Sequence, residues 1–232
     1  MIFDFRYILF VMIPTMLLMG FAQVRLRSTF AKYRDLPNSR GLTGAQAATM
    51  VMNSAGVYDV GVEPIAGNLT DHFDPSAKML RLSEQVYNSR SIAAMGIAAH
   101  EAGHAVQQHV GYTPMTLRSS LVPVANIGSG IGPFIIIGGL ITQIPALAWG
   151  GVLFFSAATL FALVTLPVEY NASARARQLL ESNGIVTGQE MGGVRSMLNA
   201  AALTYVAGFA ASLLNLIYYV MLVSGMGRRS ND

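Results

Sequence analysis

The sequence predicts a mainly α protein: a multi-pass bundle of about four membrane-spanning helices carrying a small α+β part outside the lipid. Three observations carry this. Of the 232 residues, 53% are hydrophobic and only 12% charged, about half the charge of an ordinary soluble domain. The charges are also absent from long blocks rather than thinned evenly. Between those blocks, the patterning changes to capped helices and short strand-like runs. The composition excludes a disordered chain and argues against an ordinary soluble enzyme. With no cysteine, disulfides, thiolate metal sites and cysteine nucleophiles are excluded. The net charge of +3 comes without a basic, aromatic-interleaved block, so no nucleic-acid partner is expected.

In chain order, residues 7–23 are uncharged and long enough to span a hydrocarbon core of about 30 Å. Pro14 should kink this helix. Asp4 precedes the run and no small-x-small cleavage site follows it, so 1–23 reads as an uncleaved anchor. Residues 119–168 hold no ionisable group. They are too many for one span and fit a hairpin of helices near 121–142 and 147–167, turning at Thr142-Gln143-Ile144-Pro145. A fourth span falls at 203–224, within 203–232. Gly128, Gly132 and Gly138-Gly139 read as small-residue packing positions. Gly128-Ser129-Gly130-Ile131-Gly132 is not a phosphate loop, because it lies inside a span with no strand before it.

Residues 24–118 and 169–202 remain outside the lipid. Leu42 to Gln46 reads as a capping box opening a helix that Gly56 closes. From Val60 to Leu82 come strand-like runs separated by Gly67-Asn68 and Asp74-Pro75 turns. Arg90-Ser91 precedes an Ala-rich helix over 92–109, ending at Val110-Gly111. After Pro167, a helix is expected to open at Glu169 and to stop at Asn183-Gly184. Thr187 to Glu190 begins the helix leading into the fourth span.

The Ala-rich helix contains His100-Glu101-Ala102-Gly103-His104, an H-E-x-x-H motif. Residues four apart share a helix face, so His100 and His104 can hold one metal ion together. Glu101 is then placed as general base toward an activated water. A catalytic zinc takes three protein ligands. Position 107 is Gln, not the glycine that the metzincin pattern demands. His109 reads as a helix-end residue opposing the C-terminal dipole. His72, in the Asp71 to Pro75 turn, is a substrate or supporting contact. Glu169 is the strongest third ligand: it is the first carboxylate after the motif, and a two-span hairpin returns it to the same membrane side. The small outer part therefore reads as zincin-like and catalytic, with one zinc ion as cofactor. A site of two His and one Glu also accepts manganese or cobalt.

The runs Leu69 to Pro75, Arg81-Leu82-Ser83, Ala98 to Ala105 and Leu166 to Ser173 resemble the YugP-like family of neutral zinc metallopeptidases. More distantly, the chain is similar to membrane gluzincins of the heat-shock and CAAX-prenyl endopeptidase kind. The resemblance implies a small multi-pass bacterial membrane protein with zinc on His100, His104 and Glu169. Those relatives usually carry Asp four residues after the glutamate. Here Ser173 stands in that place, and Asn171 and Ser173 both remain candidates to orient His100.

Lys and Arg number nine in 24–118 and three in 169–202, against Arg6, Arg228 and Arg229 elsewhere. That asymmetry places the catalytic parts in the cytoplasm, in a multi-pass protein of the cell membrane. The function expected is zinc-dependent hydrolysis of peptide bonds in extended, unfolded or membrane-proximal substrates. Edge pairing in the strand region would hold such a peptide, and His72, Tyr170 and Arg175 are candidate oxyanion stabilisers. The competing class is a non-proteolytic scaffold or adaptor with a structural metal. Structural zinc usually has four protein ligands, and the sequence offers no fourth. Intramembrane cleavage is disfavoured, because Glu84, Arg90, Gln107 and Gln108 surround the motif.

Overall fold

The computed structural model describes residues 4–229. The first three residues of the expected anchor and the last three of the expected tail fall outside them. Among the described residues, four helices are long and apolar enough to cross a membrane: Phe5–Tyr33, Thr113–Thr142, Pro145–Ser182 and Gly188–Met226. With the small sheet below, they give the mainly α membrane bundle with an α+β part that the sequence predicts.

The first of these helices is built in pieces. Asp4 caps α1 (Phe5–Tyr7), accepting from the Tyr7 N–H at 2.9 Å. A π-helical stretch, Ile8–Met12, joins it to α2 (Ile13–Tyr33). Pro14 has no N–H to give, and the helix is irregular at the turn just before it. The hairpin consists of α6 (Thr113–Thr142) and α7 (Pro145–Ser182). Its turn falls where the sequence places it, with Gln143 in the left-handed region at φ 57°. The last helix is α8 (Gly188–Arg229).

One difference from the sequence reading bears on the site. Glu169 does not open a helix; it lies in the middle of α7, with Pro167 inside the same helix. A proline ring fixes φ near the helical value and removes one backbone donor. In a long apolar helix, one lost bond costs less than exposing several backbone groups to lipid, so the helix continues.

The chain divides into two compact units. The first comprises 4–22, 117–166 and 204–229 of the described residues. Its core is small: Ile136, Ala148, Val152 and Val223 are buried together. Glycines let α6 and α7 approach closely. A Cβ on Gly132 would meet the Phe155 nitrogen at 3.0 Å, and one on Gly151 would lie 2.6 Å from the Ile136 nitrogen. Gly128 and Gly139 face the Phe154 carbonyl and the Ala148 backbone still more closely. Thr159 and Ser212 hydroxyls join α7 to α8 at 2.8 Å. Large side chains such as Phe134 and Leu153, each 73% exposed, cover the outside as a lipid-facing surface requires.

The second unit comprises 23–116 and 167–203. Helix α3 (Gly44–Ser54) opens on a capping box. The Thr43 hydroxyl accepts from the Gln46 N–H, and the Gln46 side chain accepts from the Thr43 N–H. Gly56, at φ +77°, follows its end. A three-stranded sheet has the order β1 (Gly61–Ile65), β3 (Met79–Ser83), β2 (His72–Asp74). β1 runs parallel to β3 and β2 antiparallel to it. Leu80 and Leu82 face the core. Arg81, paired across the strands with Glu63 and His72, bonds the Glu63 and Asp74 carboxylates at 2.7 and 2.6 Å. A short α4 (Glu84–Tyr87) leads to α5 (Ile92–His109). α3, α5 and β3 share one core with Ala176, Leu180, Val194 and Leu198 from the long helices. Glu190 closes the base of α8: its carboxylate accepts from the Thr187 N–H and hydroxyl and from Ser39.

Candidate metal centre

Helix α5 positions the motif. Ser91 caps it, accepting from the Ala94 N–H at 3.1 Å, and Gly111 at φ +63° takes the chain away from its end. Its small side chains let it sit inside the core, and most of Ile92–Gln107 is buried. The i, i+4 spacing puts both imidazoles on one face, with ring centroids 4.8 Å apart and planes at 85°. Gly103, between them, lets the α7 backbone come up against α5 at Ala172.

That approach delivers Glu169. Its Oε2 lies 3.1 Å from His100 Nε2 and 3.5 Å from His104 Nε2. Exposure is 8% for His100, 7% for His104 and 1% for Glu169. Among the described residues, these three form a group able to hold a metal ion, with donor atoms all within 4.8 Å of one another. The donors fit one. Tetrahedral ligands at about 2.0–2.1 Å from zinc stand about 3.3 Å apart, and the two nitrogen–oxygen separations bracket that spacing. Both rings turn Nε2 toward the carboxylate, while their Nδ1 atoms are engaged elsewhere: His100 with Ser173 Oγ at 3.1 Å, His104 with Gln107 Oε1 at 2.9 Å.

The electrostatics favour positive charge here. Burial works against a charge on His104, but the Glu169 hydrogen bond and the charges of Glu101 and Glu169 outweigh it and raise its pKa. The same field would favour a divalent cation. Burial likewise raises the pKa of Glu101, against the neighbouring imidazoles, which lower it.

The structure separates the remaining sequence candidates. Ser173, four residues beyond Glu169 on the same helix face, is the residue at His100; Asn171 is not. Asn171 accepts from Gln107 Nε2 at 3.0 Å and from Arg175 Nε at 2.8 Å. Arg175 also lies 5.9 Å over the Tyr112 ring. Tyr170 is 52% exposed. His72 stands on β2 with its Nδ1 donating to the Thr70 carbonyl at 2.8 Å, outside the His–His–Glu group. His109 is an exposed residue of the last α5 turn, also outside the group. The sequence reading missed Gln107, a fully buried amide whose Nε2 also donates to the Val168 carbonyl at 2.8 Å. Its signal was available: a polar residue three positions beyond the second histidine, on the buried face of an Ala-rich helix.

Four membrane-length helices among the described residues, and a buried pair of imidazoles closed by a glutamate, define a multi-pass membrane protein with a His–His–Glu group able to hold a metal ion. The chain belongs to the family described as "Putative neutral zinc metallopeptidase", whose profile matches residues 8–224. It is 44% identical to "Putative membrane protease YugP" of Bacillus subtilis (strain 168) over 214 residues, 92% of this chain and 95% of that protein. No solved structure matches.

Proposed function

We propose that this chain is a membrane-embedded zinc metalloendopeptidase. The observation that carries the reading is the convergence of His100, His104 and Glu169 from two helices far apart in sequence. These three would hold one zinc ion. When bound, zinc supplies Lewis-acid polarisation of the scissile carbonyl and lowers the pKa of water. Glu101 takes the proton from the attacking water and returns it to the leaving amine. Ser173 orients His100. An extended peptide, from an unfolded or membrane-proximal segment, pairs with the outer edge of β2, which is bonded only to β3 in the sheet. His72 on that strand, together with Tyr170 and Arg175, remains the pool from which a group facing the carbonyl oxygen is drawn. The Lys and Arg asymmetry supports a cytoplasmic site in the cell membrane.

The test is a pair of variants of the full-length protein in detergent, assayed on casein with zinc measured in parallel. Glu101→Gln retains zinc and loses cleavage. Glu169→Ala loses the metal itself. If wild-type protein binds zinc stoichiometrically but never cleaves a flexible substrate, the reading fails in favour of a structural metal. If Glu169→Ala keeps full zinc, the ligand set is wrong.

A further inference from the structure

Beyond the metal group lies a chain of hydrogen bonds that ends on a residue able only to donate. Arg175 Nε donates to Asn171 Oδ1 at 2.8 Å. A guanidinium has no acceptor, so Asn171 must present its oxygen on that side. The same oxygen accepts from Gln107 Nε2 at 3.0 Å, and Gln107 Nε2 gives its other hydrogen to the Val168 carbonyl at 2.8 Å. Both amide hydrogens of Gln107 are thereby committed to α7, which turns Oε1 toward His104 Nδ1, 2.9 Å away. An amide oxygen only accepts. His104 must therefore donate from Nδ1, so in the neutral ring that a metal ligand requires, Nε2, the atom facing Glu169, is the lone-pair nitrogen.

We propose that Arg175, Asn171 and Gln107 act as positioning residues that fix the ring of His104 for zinc, Gln107 directly and the other two through it. The inference rests on the metal site proposed above. Gln107 is fully buried, and burying an amide is costly unless its polar atoms are bonded, as both its nitrogen and its oxygen are here. The relay also explains why both helices contribute: α5 supplies the ring and the amide, while α7 supplies the two acceptors that orient the amide. His100 has a different arrangement, a single hydroxyl from Ser173 at 3.1 Å, which can donate or accept. The two imidazoles are thus held with unequal strictness.

The experiment uses the full-length protein in detergent micelles, labelled with 15N-histidine. Its four histidines give four ring pairs, and loss of one in His104→Ala assigns it. In zinc-loaded wild type, long-range proton–nitrogen spectra are expected to show His104 with a protonated Nδ1 and a metal-bound Nε2. Zinc dissociation constants come from competition with a chromophoric chelator. Gln107→Leu and Asn171→Leu are expected to weaken zinc binding about 10–100-fold. Asn171→Asp, which keeps an acceptor for both donors, stays within a few-fold of wild type, and Arg175→Lys outperforms Arg175→Met. A role in packing alone would lower the thermal midpoint yet leave the dissociation constant and the ring spectrum unchanged. Zinc bound through His104 Nδ1 in wild type, undiminished affinity in Gln107→Leu, or equal losses in Asn171→Asp and Asn171→Leu would overturn the proposal. The wild-type spectrum needs no variant, so misfolding of a mutant leaves the test standing. If wild type takes up no zinc, or His104→Ala binds it undiminished, the metal site itself is wrong, an outcome distinct from a failed relay.

Discussion

Gly103 of α5 and Ala172 of α7 meet with no room for a side chain: a Cβ on the glycine would lie 2.6 Å from the Ala172 carbonyl oxygen. This contact sets the distance at which Glu169 reaches the imidazoles. Gly103→Ala should gain up to about 1 kcal/mol in helix propensity. The obstacle, however, is a backbone carbonyl that cannot swing aside, and overpacking costs about 1–3 kcal/mol. The clash wins. The variant should melt earlier and bind zinc at least tenfold more weakly, both readable in detergent by thermal scan and chelator competition.

Ser173 gives a second prediction. Its hydroxyl engages His100 Nδ1 at 3.1 Å. Ser173→Ala should weaken zinc binding about tenfold, whereas Ser173→Asp should bind at least as tightly as wild type. Equal affinity in wild type and Ser173→Ala would show that His100 needs no partner there.

Acid should loosen the sheet. The N–H groups of Ala77 and Ser76 and the Arg81 guanidinium hold the Asp74 carboxyl below its ordinary value of 3.8. Lys78 does the same for Asp59. Because the folded values are depressed, their stabilisation is complete above the ordinary value and is lost as pH falls below about 4. Asp71 runs the other way: burial raises its pKa despite the Ser83 hydrogen bonds, so protonating it removes a cost of the folded state. Protection factors for hydrogen exchange across β2 and β3, taken relative to the intrinsic rate at each pH, should therefore fall below about pH 4 in wild type, and less steeply in Asp74→Asn.

The membrane hairpin supplies a matched pair. A Cβ on Gly151 would lie 2.6 Å from the Ile136 nitrogen, whereas one on Gly150 would meet nothing within 4 Å. Gly151→Leu should lower the thermal midpoint in detergent sharply and Gly150→Leu should leave it near wild type. Equal effects would mean that close helix approach does not hold the hairpin.

Much of this was legible in the sequence because the signals were local. Thr43 with Gln46, Ser91 with Ala94, and Thr187 with Glu190 cap helices through bonds spanning three residues, and uncharged stretches announce spans by length alone. The helix through Pro167 was not legible, since the local rule ends a helix there and only the surrounding lipid-length run overrides it. Ser173 could have been chosen over Asn171 by counting four residues from Glu169. Gln107 could have been noticed as a polar residue beside the second histidine, but not given partners: Val168 and Asn171 come from another helix, and no spacing rule links them. His72 belongs to the sheet rather than the metal group for the same reason, being placed by the pairing of β2 with β3.

The order of these parts along the polypeptide imposes a timetable on the newborn protein. A ribosome that has just added residue 168 has made both histidines and Glu101, together with all of α6 and more than half of α7, but not the carboxylate that completes the group able to hold a cation. Capture of an ion by all three proposed ligands would therefore wait until the hairpin has been synthesised and can be threaded into the bilayer. A truncated product released earlier carries the motif without the means to close it.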